Sequence, residues 1–176
     1  MSRCRSLQLS FDIQERPTTG KWRSNTAIKP TYIREMLDKH EHVLWLDCDG
    51  TLFQYPAHCA AQEMGADILA CPHRTAPGRD WHVGIMSIRS NDRTKAFVDA
   101  WIEQVNQNIE HEITDERAFM KLMEDHPEVR FQALPDNYHV LMMRGVDLRG
   151  AVFGLGISRD GDKQNTYKTK DRLEWL

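Results

Sequence analysis

The chain has 176 residues, 40% of them hydrophobic, with a formal net charge of −3 at neutral pH. That composition suits one domain with a real core, and its slight acidity removes any electrostatic case for a nucleic-acid partner. No apolar run approaches the roughly 18–20 residues that span a bilayer, and Met1-Ser2-Arg3-Cys4-Arg5 lacks a signal-peptide core, so the expected location is the cytoplasm.

In chain order, Leu7 to Ile13 alternates apolar and polar residues as a short strand would. Residues 14–25, with Pro17, Gly20 and Trp22, read as a loop. Pro30 opens a helix over about 31–39, whose Tyr32, Ile33, Met36 and Leu37 form an apolar stripe. A strand over Val43–Leu46 leads into an acidic turn. A short helix near 56–64, a strand over 67–70, a loop over 71–80 and a strand over 83–88 follow. The helix over Thr94–Asn108 carries Phe97, Val98, Trp101, Ile102 and Val105 on one face, and a second over Asp115–Asp125 is built on Ala118, Phe119, Leu122 and Met123. Val129–Leu134 is strand-like, and Val140–Met143 extends the sheet. Strands alternating with helices predict an α/β layer sandwich around a central, mostly parallel sheet. The whole of 1–176 reads as a single domain, with an N-terminal strand and loop over 1–25 and a polar tail over 158–176. Cys4, Cys48, Cys59 and Cys71 show no paired metal or disulfide spacing and read as reduced thiols.

The most informative stretch is Val43-Leu44-Trp45-Leu46-Asp47-Cys48-Asp49, an apolar strand ending in two carboxylates one residue apart. On an extended chain both would project to the same side. Hard oxygen ligands at the carboxyl end of a strand suit Mg²⁺ or Mn²⁺, and such an ion in turn holds a diphosphate. The bland alternative is a strand that stops in an acidic turn. Gly50-Thr51 directly after the pair favours a site.

Asp47-Cys48-Asp49-Gly50-Thr51-Leu52 resembles the first motif of haloacid-dehalogenase-type phosphatases, in which Asp47 would be a nucleophile beside Mg²⁺. That reading would use Ser87, Lys95 or Lys121, and Asp160 with Asp162. The same carboxylates resemble the Asp-x-Asp motif of GT-A nucleotide-diphospho-sugar transferases. The order of further motifs favours the second resemblance. Asn25-Thr26-Ala27-Ile28-Lys29-Pro30 is similar to the segment these enzymes place before the Asp-x-Asp strand, and His82–Asn91 to the strand lining their sugar pocket. Phe97-Val98-Asp99-Ala100-Trp101, Thr114-Asp115-Glu116-Arg117-Ala118-Phe119 and Leu134-Pro135-Asp136-Asn137-Tyr138 complete the set, across about two thirds of the chain.

The transferase resemblance implies a GT-A-like, Rossmann-like sandwich, short at its N-terminus, and a metal-dependent transfer of sugar from a nucleotide-diphosphate donor to an acceptor of unknown identity. It implies Mn²⁺ or Mg²⁺ on Asp47 and Asp49, and donor contacts from Lys29, Asp47, Asp49, Gly84, Arg89, Ser158 and Arg159. Catalytic roles would fall to Asp115 and Glu116, although acids that open a helix also serve as caps for its amides. Trp81 is a candidate for stacking on a sugar, and Trp22 and Tyr55 for flanking the donor; packing is the alternative for each. Two departures stand out. Only 46 residues precede Asp47, and glycines (Gly154, Gly156) stand before Ser158-Arg159 where many relatives have a metal-binding His. They leave room for a degenerate GT-A domain serving as a binding module, or for a homo-oligomer that completes the nucleotide site.

Overall fold

The computed structural model describes residues 2–16, 25–60, 65–72, 81–108, 114–141 and 147–155. Helix α1 (Ser2–Ser6) stands at the N-terminus, and residues 7–16 have no regular structure, where a strand was expected. The chain turns at Gln8, whose φ is +56°, and Leu9 N donates to Cys4 O at 2.9 Å. Leu7 and Leu9 pack against one of the two apolar clusters, so their alternation reflects burial without strand pairing.

Helix α2 (Ile28–Leu37) buries Lys29, Pro30, Ile33, Met36 and Leu37. Pro30 lies in its first turn, where backbone N–H groups have no intrahelical acceptor, so the ring costs no hydrogen bond. Strands β1 (His42–Leu46) and β2 (Gly50–Leu52) follow, then helix α3 (Ala57–Ala60), strands β3 (Ile68–Pro72) and β4 (Trp81–Arg89), and helices α4 (Asp92–Gln107) and α5 (Asp115–Asp125). Strand β5 (Phe131–Ala133), a 3₁₀ turn over Asp136–Tyr138, and strands β6 (Val140–Leu141) and β7 (Phe153–Leu155) complete the order. Helix α4 opens on a reciprocal cap: Thr94 N donates to Asn91 Oδ1 and Asn91 N to Thr94 Oγ1, both at 3.0 Å.

The main sheet has the order β1-β4-β3-β5, and a smaller one the order β2-β7-β6. The main sheet is mixed, which corrects the mostly parallel expectation: β1 and β3 both run antiparallel to β4, and only β5 runs parallel to β3. Residues 73–80 are too few for the crossover that would return β4 parallel to β3. Side chains alternate across this sheet as the pleat requires. Ile68, Ala70, Met86 and Ile88 join Ile33, Leu37, Phe97, Val98, Trp101 and Phe119 from the helices on one face. Leu69, Cys71 and Ile85 join Leu52, Phe153 and Leu155 of the small sheet on the other. The main sheet is thus the middle layer of three.

One irregularity positions the site. Ala70 pairs with Met86, but the next residue, Cys71, pairs with His82. Val83, Gly84 and Ile85 therefore bulge from the β3 ladder while β4 stays attached to β1, through Leu46–Ile85 and Asp47 N to Gly84 O at 2.8 Å. Such bulges bend a strand and re-aim its side chains.

Candidate active site

At the carboxyl end of β1 the chain does not continue extended. Gly50 N donates to Asp47 O at 3.0 Å, closing a tight turn over Asp47–Gly50. Asp47 stays at the strand end and lines a cavity of about 230 Å³ with Thr26, Lys29, His82, Gly84, Asp115 and Glu116, while Asp49 lies in the turn outside the lining residues. The two acids are therefore not successive positions on one extended strand, because the backbone turns between them. Asp47 is fixed from the strand itself, by Trp45 Nε1 donating to Oδ1 at 2.8 Å. Trp45, from the apolar run of the strand, packs against the helical cluster and also orients the acid two residues on.

Lys29 joins the walls of the cavity. Its Nζ is 3.0 Å from Asp47 Oδ1 and 2.9 Å from Asp115 Oδ2, and donates to Val83 O at 3.3 Å. The ammonium thus lies within ion-pair distance of both carboxylates and also donates to Asp47 Oδ2 at 3.3 Å. Lys29, expected from sequence as a donor contact, lines the cavity in ion pairs with both carboxylates. Burial alone would lower its proton affinity, but Asp115 and Asp47 outweigh that penalty and hold its pKa above the ordinary lysine value. The bulge makes the contact feasible by releasing the Val83 carbonyl from the β3 ladder.

Helix α5 delivers the acids of the opposite wall. Its cap is Thr114, whose hydroxyl accepts from Arg117 N at 3.2 Å, so neither Asp115 nor Glu116 is needed in that role. Asp115 is buried against Lys29, and its carbonyl accepts from Trp101 Nε1 at 2.8 Å. Glu116 is less enclosed, with Oε2 3.4 Å from His82 Nδ1. The His82 ring stacks on His139, with centroids 3.7 Å apart and planes 21° apart. The two histidines are far apart in the chain, and the bulge and the turn after Tyr138 bring them together.

Gly84 forms the floor. A Cβ there would stand 2.9 Å from Leu155 Cδ1 and 3.3 Å from Asp47 Oδ2. Arg89 is the expected donor contact that the fold separates from the rest. It pairs with His42 at the other end of the β1–β4 ladder, five residues and roughly 16 Å along the strand from Gly84. The strand is longer than its apolar run, which carries Arg89 to the opposite end of the sheet's strands. Ser158, Arg159 and Trp22 lie outside the described residues. Trp81 is partly buried and packs against the helical cluster, and Tyr55 is exposed.

The phosphatase alternative loses its residues in the same geometry. Ser87 is fully buried, and Lys95 pairs with Asp38 at 3.1 Å. Lys121 lies on α5 and is exposed, and Asp160 and Asp162 are outside the described residues.

The fold has counterparts among known proteins. The fold is similar to a glycosyltransferase involved in glycosylation of the major capsid of PBCV-1, with a TM-score of 0.68 at 10% identity over 90% of this chain and 85% of that one. It is also similar to the glycosyltransferase GlyE of Streptococcus pneumoniae TIGR4, with a TM-score of 0.58 at 15% identity; 85% of this chain spans 41% of GlyE. No curated protein matches the chain significantly. The fold is that of a GT-A-type glycosyltransferase. The model of the family described as nucleotide-diphospho-sugar transferase matches residues 4–158, and the chain belongs to that family. The family is that of the transferase resemblance and not of the phosphatase one.

No group of three His, Cys, Asp or Glu side chains is placed to hold a metal among the described residues. The donor set still suits a hard cation, because Mg²⁺ sites commonly use one or two carboxylates and take their remaining ligands from substrate phosphates and water. The cavity also sets one ammonium, Lys29, against three carboxylates, Asp47, Asp115 and Glu116. Among the described residues, no helix is long and apolar enough to cross a membrane.

Proposed function

We propose that this chain moves a sugar from a nucleotide-diphosphate donor to an acceptor hydroxyl in the cavity between Asp47, Gly84 and Asp115, with Mn²⁺ or Mg²⁺ held at Asp47 and Asp49. The excess of carboxylate over ammonium in that cavity carries the reading. A diphosphate entering such a site needs a cation, since its own negative charge would otherwise meet three acids. When bound, the ion supplies Lewis-acid neutralisation of the departing diphosphate. The protein's own groups do the rest: Lys29 holds Asp47 and Asp115 in place, Gly84 leaves room beside Asp47, and Trp45 fixes the carboxylate orientation. Arg159, four residues beyond the cavity residue Leu155, is the remaining basic candidate for the diphosphate.

Thermal denaturation with Mn²⁺ and a panel of UDP- and GDP-hexoses tests this. The expected result is a rise in melting temperature with at least one donor that needs the metal and is abolished by Asp49→Ala. If neither metal nor any donor moves the transition, the catalytic reading fails and a degenerate binding module takes its place.

A further inference from the structure

The His82–Glu116 pair is the part of the cavity wall that donor and metal binding leave unused. Asp115 is sealed against Lys29, with 6% of its side chain exposed, whereas Glu116 keeps 31% and His82 17%. Three independent features hold His82: the bulge in β4 that ends at it, the contact of its Nδ1 with Glu116, and the stack on His139. An imidazole oriented by a carboxylate and fixed in its ring plane is the usual construction of a general base. Lys29, 8% exposed and held between Asp47 and Asp115, is less open to an acceptor than His82.

We propose that His82 accepts the proton of the acceptor hydroxyl, with Glu116 and His139 as positioning residues; this deepens the transferase reading and rests on it. In the step, the bond from the anomeric carbon to the diphosphate oxygen breaks and its electron pair leaves with the diphosphate. The acceptor oxygen bonds to that carbon, its O–H bond breaks, and the proton passes to the His82 imidazole. Glu116 then faces an imidazolium, so the charge formed in the step is balanced within the pair.

The test uses the full chain, Mn²⁺ and the panel of UDP- and GDP-hexoses, with water as acceptor and released nucleoside diphosphate as readout. For His82→Ala, the expectation is a fall in turnover of about 100-fold, with roughly tenfold recovery on adding imidazole. The donor-induced rise in melting temperature should be retained. Glu116→Gln should lower kcat with little change in KM. Turnover near wild type in His82→Ala would overturn the proposal, as would a loss that imidazole does not relieve in a variant of unchanged melting temperature. Failure of the donor reading appears separately, as a wild-type protein whose melting temperature no donor moves, and it removes this proposal as well.

Discussion

Lys29 Nζ lies 2.9 Å from Asp115 Oδ2, an ion pair that ties the first turn of α2 to the first turn of α5 across the cavity. Both side chains are almost fully buried, at 8% and 6% exposure, so the pair is shielded from solvent screening. Removing one partner of such a pair leaves a charge in a poorly solvated place, whereas replacing both by apolar groups is often tolerated. Lys29→Met should therefore cost about 3–5 kcal/mol in urea denaturation at neutral pH. Adding Asp115→Leu should recover part of that loss. If Lys29→Met shifted the urea midpoint only slightly, the ammonium would not be what holds these carboxylates.

A second buried acid gives the protein a measurable acid sensitivity. Asp67 is fully buried at the start of β3. It accepts from Asn91 Nδ2 at 2.9 Å, Arg93 Nη2 at 2.8 Å and Arg130 N at 3.0 Å. Burial alone would raise its pKa; the hydrogen bonds from Arg93, Arg130 and Asn91 outweigh that and bring it to about 2. A carboxylate whose pKa is lowered on folding stabilises the fold above its ordinary value, and that stabilisation fades as pH falls from about 4 towards 2. Because Arg93 and Arg130 are about half exposed, screening limits the effect to about 1–2 kcal/mol. Asp67→Asn should be less stable at pH 7, and its urea midpoint should fall less than that of wild type between pH 5 and pH 2.5. Equal pH dependence in the two proteins would exclude Asp67 as the acid-sensitive group.

Part of the cavity wall was legible in the sequence, from local pattern and from motif order. An apolar run broken by an acid located Asp47, whereas Gly84, Asp115 and Glu116 came from the family resemblance; the structure brings all four to one cavity. What escaped depends on contacts between distant segments. Strand direction could not be read from Val83–Ile88, whose apolar run suits either orientation; it follows from the short 73–80 connection. The reversal between Asp47 and Asp49 comes from the turn closed by Gly50, which an extended-chain argument overlooks. Lys29 was found as a residue, but its ion pairs with Asp47 and Asp115 escaped, since its partners come from the end of β1, from β4 and from α5. His82 and His139 acquire meaning only through a three-residue bulge and a 3₁₀ turn, neither of which leaves a periodic signal. The alternation over Leu7–Ile13 misled for the opposite reason: it reports burial of Leu7 and Leu9 on a segment that pairs with no strand.

Two glycines near the site should separate folding from function. A methyl group on Gly50 would stand 2.1 Å from Phe153 Cζ and 2.6 Å from its Cε2. The ring is 1% exposed in the core of the small sheet, so it has no room to yield, and Gly50→Ala should destabilise by about 1–3 kcal/mol or more. Gly84 differs, because its nearest neighbour is the terminal methyl of Leu155 at 2.9 Å, a rotatable group, with Asp47 Oδ2 next at 3.3 Å. Gly84→Ala should therefore cost less, about 1 kcal/mol in urea denaturation, with the new methyl taking its room beside the Asp47 carboxylate. The donor-induced rise in melting temperature should shrink in Gly84→Ala. In Gly50→Ala the melting temperature of the free protein should fall instead, while the donor-induced increment persists. A donor response in Gly84→Ala equal to wild type would mean that the sugar nucleotide binds away from the floor of this cavity.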